Sequence, residues 1–215
     1  MKSVLIIGLG RFGRHLAKRM QEYGNSVMAI EVDEERANDA VDIIADIQIA
    51  DSCDPKVIQS LGVSNFDLCF VTCQNDFEAA LTTTYLLKSA GARYVVARAS
   101  RDMHRRLLLK NGADYAIYTE RDYAEKMAVR FGVDNIFDFN ELTANLGIYE
   151  IKTPDRWVGK SIIELNVRKN FSIEIVAKQN EMEEAEQILD PHYRFEKNVH
   201  LYVIGSPEAI QLITQ

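Results

Sequence analysis

The chain has 215 residues, 47% of them apolar, with 25 lysines and arginines against 32 acids and a net charge of −7. That length allows one or two domains, and the composition is rich enough in apolar side chains to build a core. The acidic balance argues against non-specific nucleic-acid binding, and three cysteines with no second pair or nearby histidine suit neither a disulfide framework nor a zinc site.

From the amino terminus, Met1-Lys2-Ser3 leads directly into the apolar run Val4–Ile7, which reads as a strand rather than a signal peptide. Phe12, Leu16, Ala17 and Met20 then recur on one helical face over Phe12–Tyr23, and Gly24-Asn25 closes that helix. Strands follow at Ser26–Glu31, Ile43–Ile49, Leu68–Val71, Tyr94–Arg98 and Ala113–Ile117. Helical patterns fall between them at Glu34–Val41, Pro55–Leu61, Asp76–Ala90, Asp102–Asn111 and Glu120–Phe131. Six strands alternating with helices predict an α/β fold, a Rossmann-type doubly wound parallel sheet with both faces covered.

After Phe139 the pattern changes. Leu146–Ile151, Phe171–Ala177 and Val199–Ile204 read as strands, with short helices at Ser161–Leu165 and Ser206–Ile213. The expected organisation is a nucleotide-binding domain over residues 1–135, a hinge or linker over 136–145 and a small α+β domain over 146–215. The acidic stretch Glu181–Glu186 reads as a solvated turn. No apolar run approaches the ~20 residues that a membrane span requires. A soluble cytosolic protein is expected.

The segment Gly8-Leu9-Gly10-Arg11-Phe12-Gly13 carries G-x-G-x-x-G between a strand and a helix, the context in which the pattern has a mechanism. Gly8 permits a tight turn, Gly10 lets backbone approach a pyrophosphate, and Gly13 lets the helix pack on the sheet. The helix N-terminus offers free N–H groups and a positive dipole end to phosphates. Glu31 ends the second strand, where an acid receives the ribose hydroxyls and repels a 2′-phosphate. Arg11, Arg14 and His15 cluster where cations are otherwise unfavourable, which suits a ligand of several negative charges. Later strand ends supply Asp51, Ser52, Cys73, Asn75 and Arg98 to the same edge. Cys73 fills space there and is not expected to react.

A dehydrogenase needs a proton-transfer group beside its nicotinamide. His15, His104, His192 and His200 each stand alone, and Tyr193…Lys197 falls in the wrong domain for a Tyr-x-x-x-Lys pair. A specified nucleotide pocket without the chemistry beside it favours a sensor over an enzyme. A small NAD-dependent oxidoreductase is the alternative. A redox-sensing repressor is disfavoured by the acidic charge.

With this loop, Glu31, the small second domain and Lys160-Ser161-Ile162-Ile163-Glu164-Leu165-Asn166-Val167-Arg168 in view, the chain resembles the RCK (KTN, TrkA-like) family of potassium-channel and transporter regulators. Its single copy resembles the KtrA-type subunits; TrkA proteins carry two copies in a longer chain. The resemblance implies homodimers assembling into an octameric ring under a membrane potassium-translocating, KtrB-like subunit, with ATP and ADP competing for the pocket. ATP/ADP and NAD(H) both remain open as ligands. It further implies that Arg14 meets the outer phosphates of ATP and that Glu120 binds a divalent cation near them. In some relatives cyclic di-AMP binds the second domain. Ile162, Ile163, Arg168, Ile175 and Pro191 match that pocket in character, although plain core packing explains the isoleucines equally well. Two departures stand out: Glu31 occupies a position commonly held by Asp, and residues 178–190 are acidic where a dianion would bind.

Overall fold

The computed structural model describes residues 1–73, 76–143, 145–180 and 190–214. It divides into two compact units, Met1–Glu120 and Arg121–Gln215. The acidic stretch 181–186 lies outside the described residues.

In the first unit the elements run β1 (Ser3–Ile7), α1 (Arg11–Glu22), β2 (Ser26–Glu31), α2 (Glu34–Asn38), β3 (Asp46–Ile49), α3 (Pro55–Ser60), β4 (Leu68–Val71), α4 (Phe77–Ser89), β5 (Val95–Arg98), α5 (Asp102–Lys110) and β6 (Tyr115–Ile117). The strands form one parallel sheet in the order β3-β2-β1-β4-β5-β6. Val4, Leu5, Ile6 and Ile7 of β1 are all buried, as a strand covered on both faces requires. Leu5 and Ile7 enter one apolar cluster and Val4 and Ile6 another, which is the two-residue period of a pleated strand.

Chain order reverses on either side of β1, and ligands bind sheets of this kind at the carboxyl ends of the strands beside such a reversal. Ile7 is in register with Ile30 of β2 and Val71 of β4. Gly8, Glu31 and Thr72 therefore stand side by side at the carboxyl edge of the sheet.

One expected strand is shorter than its apolar run. Ile43 and Ile44 do not extend β3; both donate their N–H to Ala40 O in the turn after α2, and Ile44 is buried there. Burial in a turn satisfies these side chains as well as a strand would.

The second unit holds a four-stranded antiparallel sheet, β7-β8-β10-β9, built from β7 (Ile136–Thr143), β8 (Leu146–Lys152), β9 (Glu174–Gln179) and β10 (His200–Gly205). Helices α6 (Thr119–Gly132), α7 (Ile162–Leu165), α8 (Val167–Phe171) and α9 (Pro207–Thr214) complete the chain, and the division between units falls in the first turn of α6. Trp157, Ile151, Phe195, Leu201 and Val203 centre its core. The segment expected as a linker carries β7. Only Ile136 of that strand is buried, so its own apolar pattern is too thin to announce it. Pairing with β8, from Ile136↔Ile151 to Thr143↔Leu146, makes the strand.

Candidate functional site

The glycine loop is fixed from three sides. Gly8 takes φ = 96°, a left-handed conformation that favours glycine, and donates its N–H to Ile30 O at 2.8 Å. Thr72, just past β4, donates its hydroxyl to Gly8 O at 2.6 Å, with Ile7 O 3.1 Å from the same oxygen. A Cβ on Gly13 would stand 2.1 Å from Gly8 O, so the close approach of α1 to the loop admits no side chain. A Cβ on Gly10 would meet nothing within 4 Å. Gly10 is also the N-cap of α1 and contributes no side-chain acceptor, and the first turn holds no acid. The positive end of this twelve-residue helix thus opens without a neutralising group of its own.

Glu31 is the buried charge of the site, 3% exposed. Its Oε2 accepts the Leu9 N–H at 2.6 Å, and its Oε1 accepts those of Val32 at 2.9 Å and Asp33 at 3.1 Å. Three backbone donors compensate its desolvation. They also tie the end of β2 to the glycine loop. Oε2 keeps acceptor capacity for a hydroxyl.

These groups border a cavity of about 540 Å³. Of the residues expected at the site, Gly8, Gly10, Arg11, Phe12, Glu31, Asp51, Ser52, Cys73, Arg98 and Glu120 line it. Gly13 lies behind the wall as the packing glycine, and Arg14 points elsewhere, its Nη1 3.1 Å from Asp39 Oδ2. Asn75 lies outside the described residues. Arg98 is largely covered: its guanidinium sits 4.8 Å from the Phe12 ring centre, its Nε donates to Thr119 Oγ1 at 3.1 Å and its Nη2 to Glu120 Oε1 at 2.9 Å. Burial, with Glu31 nearby, pushes the Cys73 thiol up to about 12, so it stays protonated and a poor nucleophile near neutral pH.

Sequence reasoning missed Val32, Arg36, Thr72 and Asp76 on the same wall. Thr72 had a signal, a hydroxyl one step beyond a central strand. Arg36 had a fainter one. Asp33 caps α2 by accepting the Arg36 N–H at 3.0 Å, and that same bond holds the Asp33 carboxyl below its ordinary value; together they place the Arg36 side chain at the cavity mouth. The cavity therefore combines a helix N-terminus with guanidinium groups from Arg11, Arg36 and Arg98, and one buried carboxylate beside them. It suits an anion that also carries hydroxyls.

In the second unit, Ile162 and Ile175 pack against the core while Ile163 is 54% exposed. The Ile163 N–H is donated to Pro191 O at 3.3 Å. Arg168 is held by Glu174 through two hydrogen bonds, one of them Nη2 to Oε1 at 2.6 Å.

The family model of the TrkA-N domain matches residues 4–119, and that of the TrkA-C domain matches residues 146–215. Ktr system potassium uptake protein C of Bacillus subtilis (strain 168) is 35% identical over 176 residues, covering 82% of this chain and 80% of the relative. Ktr system potassium uptake protein A of the same organism is 31% identical over 176 residues, covering 82% and 79%. Among solved structures, the chain is similar to the GsuK RCK domain (14% identity, TM-score 0.71, 99% of this chain and 47% of that one). It is also similar to the GsuK channel bound to NAD (14% identity, TM-score 0.73, 100% and 39%). At that identity the two structures show the fold. The chain belongs to the RCK family of TrkA-N and TrkA-C domain proteins, with the Ktr potassium uptake proteins A and C among its relatives.

Proposed function

We propose that this chain is a cytoplasmic nucleotide-sensing regulatory subunit of a membrane potassium transport system, acting as a switch and not as an enzyme. The observation that carries the reading is the cavity at the carboxyl edge of β1, bordered by the open N-terminus of α1, which would receive phosphates, and by Glu31, which would accept from a ribose hydroxyl. ATP and ADP exchange there, with NAD(H) sharing the same adenosine contacts. The names of the relatives supply potassium uptake, and a structural neighbour is the GsuK channel bound to NAD.

A nucleotide shifts a conformational equilibrium only through different affinities for the two states. The γ-phosphate is the group that ATP adds, and Arg11, Arg98 and Arg14 are the cations assigned to it, with Arg14 first having to leave Asp39. Glu120 is the carboxylate assigned to a divalent cation. Such a cation would be bound by one carboxylate plus ligand phosphates; among the described residues no three His, Cys, Asp or Glu side chains gather to hold a metal. That cation competes with Arg98 for Glu120.

Assembly follows the same reading: homodimers in an octameric ring beneath a KtrB-like translocating subunit. Support comes from α6, which has no buried residue and exposes Tyr123 and Phe131. Among the described residues no helix is long and apolar enough to cross a membrane. A cyclic di-AMP site at Ile162, Ile163, Arg168, Ile175 and Pro191 is the second part of the proposal, and the Arg168–Glu174 pair must open for a phosphate to use it.

The test is potassium flux in vesicles carrying the membrane subunit and this chain. Flux that differs between ATP and ADP supports the reading. Flux indifferent to ATP, ADP and NADH overturns it, and hydride transfer to a common hydroxy-acid couple would favour an oxidoreductase.

A further inference from the structure

β7 follows α6 directly, and its register with β8 shifts between Ile136 and Asp138, which leaves Phe137 as the extra residue of a bulge. A bulge re-aims the side chain it carries. The Phe137 ring reaches past β8 and stacks on His200 of β10, with ring centres 4.1 Å apart and planes 13° from parallel. The edge of the same imidazole is engaged by the strand between them: Nδ1 stands 2.6 Å from Glu150 Oε1 of β8. Both partners of that pair are largely covered, His200 at 23% and Glu150 at 18% exposure. Three strands thus meet at one titratable ring. The other charges facing it are few. Lys152 of β8 stands in register with His200, and Asp138 of β7 stands in register with Glu150. β9 contributes the neutral Gln179, which accepts the Tyr202 hydroxyl at 2.7 Å, while Lys178 lies over the Tyr193 ring.

We propose that His200, Glu150 and Phe137 form a proton-operated clasp on β7. An ionised carboxylate only accepts hydrogen bonds, so Nδ1 carries the hydrogen of the pair in either charge state of the ring. A proton added at Nε2 makes the ring a cation. The bond to Glu150 then becomes an ion pair, and the stack on Phe137 becomes a cation–π contact. Glu150 and Asp138 favour the charge and Lys152 opposes it. Glu150 fixes the ring in place, and Phe137 converts its charge into a hold on β7. A β7 that leaves the sheet takes Phe137 away from the ring, so the added hold is present at low pH and is lost as pH rises through the imidazole range. The chain thereby carries a proton input in its second unit, separate from the nucleotide cavity of the first.

Hydrogen exchange of the full wild-type chain at about pH 6 and about pH 8, corrected for the intrinsic pH dependence of exchange, tests this. The β7 amides are expected to be about two- to fivefold better protected at the lower pH, the scale of one exposed cation–π contact, over and above any change in β1 and β4 of the first unit. His200→Gln, which keeps a donor for Glu150 but takes no charge, is expected to lose that difference. Phe137→Leu, which keeps apolar cover without a π-face, is expected to lose it as well, and Phe137→Tyr to retain it. Equal protection at the two pH values in the wild type overturns the proposal, as does a difference that survives in His200→Gln or Phe137→Leu. Phe137 is 38% exposed and outside the core of the second unit, so its variants decide if His200→Gln fails to fold. No nucleotide enters the measurement, so its outcome is independent of the nucleotide reading above.

Discussion

The Leu9 N–H donates to Glu31 Oε2 at 2.6 Å, so the acid that ends β2 also holds the glycine loop. Leu9 is fully buried, and Glu31 Oε2 is the acceptor of its N–H. Glu31→Ala is therefore expected to destabilise the first unit by about 1–3 kcal/mol, the cost of an unsatisfied buried donor. Glu31→Gln, which retains an oxygen, should cost less. Urea unfolding of the three proteins orders them directly.

Two glycines of the motif separate folding from binding. Gly13→Ala places a methyl 2.1 Å from Gly8 O and is expected to cost roughly 1–3 kcal/mol or more through overpacking. Gly10→Ala meets no atom within 4 Å, and its φ of −63° suits any residue, so its melting temperature should match wild type. On the proposed reading, a methyl at Gly10 would instead take up space that the phosphates need. Thermal melts with and without ADP distinguish the two effects.

Alkaline pH should weaken the first unit. Burial pushes the thiols of Cys69 and Cys73 up to about 12, above the ordinary value of 9.0. Between those limits the unfolded chain has lost a proton that the folded chain retains, so stability falls as pH rises from about 9 toward 12. Denaturation midpoints measured over this window should decline, and the decline should be shallower in Cys69→Ala.

Arg98 and Glu120 give a prediction of opposite signs. Glu120 is 53% exposed, so losing the pair costs no more than about 1 kcal/mol of stability. Arg98→Ala is expected to weaken ATP in the absence of divalent cations, because a guanidinium leaves the cavity. It should also enlarge the gain in ATP affinity on adding magnesium, because Arg98 no longer competes for Glu120. Calorimetry with and without magnesium reads both changes.

Each unit has its own core, and damage to one should leave the other's chemistry in place. Trp157 is 1% exposed and packs against Phe171 and Phe195. Trp157→Ala should cost the second unit about 3–5 kcal/mol. Hydrogen exchange should rise in β8 and β10 while β1 and β4 remain protected.

The first unit was largely legible in the sequence because its signals are local. Val4–Ile7 is apolar throughout, Gly8 to Gly13 keep a fixed spacing, and Asp54-Pro55 opens α3 with a side-chain cap to the Lys56 N–H. What escaped depends on tertiary context. β7 exists because β8 pairs with it, and Arg36 reaches the site because Asp33 caps a helix of only five residues. Arg14, chosen for its position in the motif, faces Asp39, which no local spacing reveals.

The most direct measurement is calorimetric titration of ADP into the full wild-type chain and into Gly10→Ala. The account predicts saturable binding to the wild type, and its loss in a variant whose melting temperature is unchanged. Equal binding by both proteins, or no heat from the wild type with ADP, ATP or NADH, would contradict it.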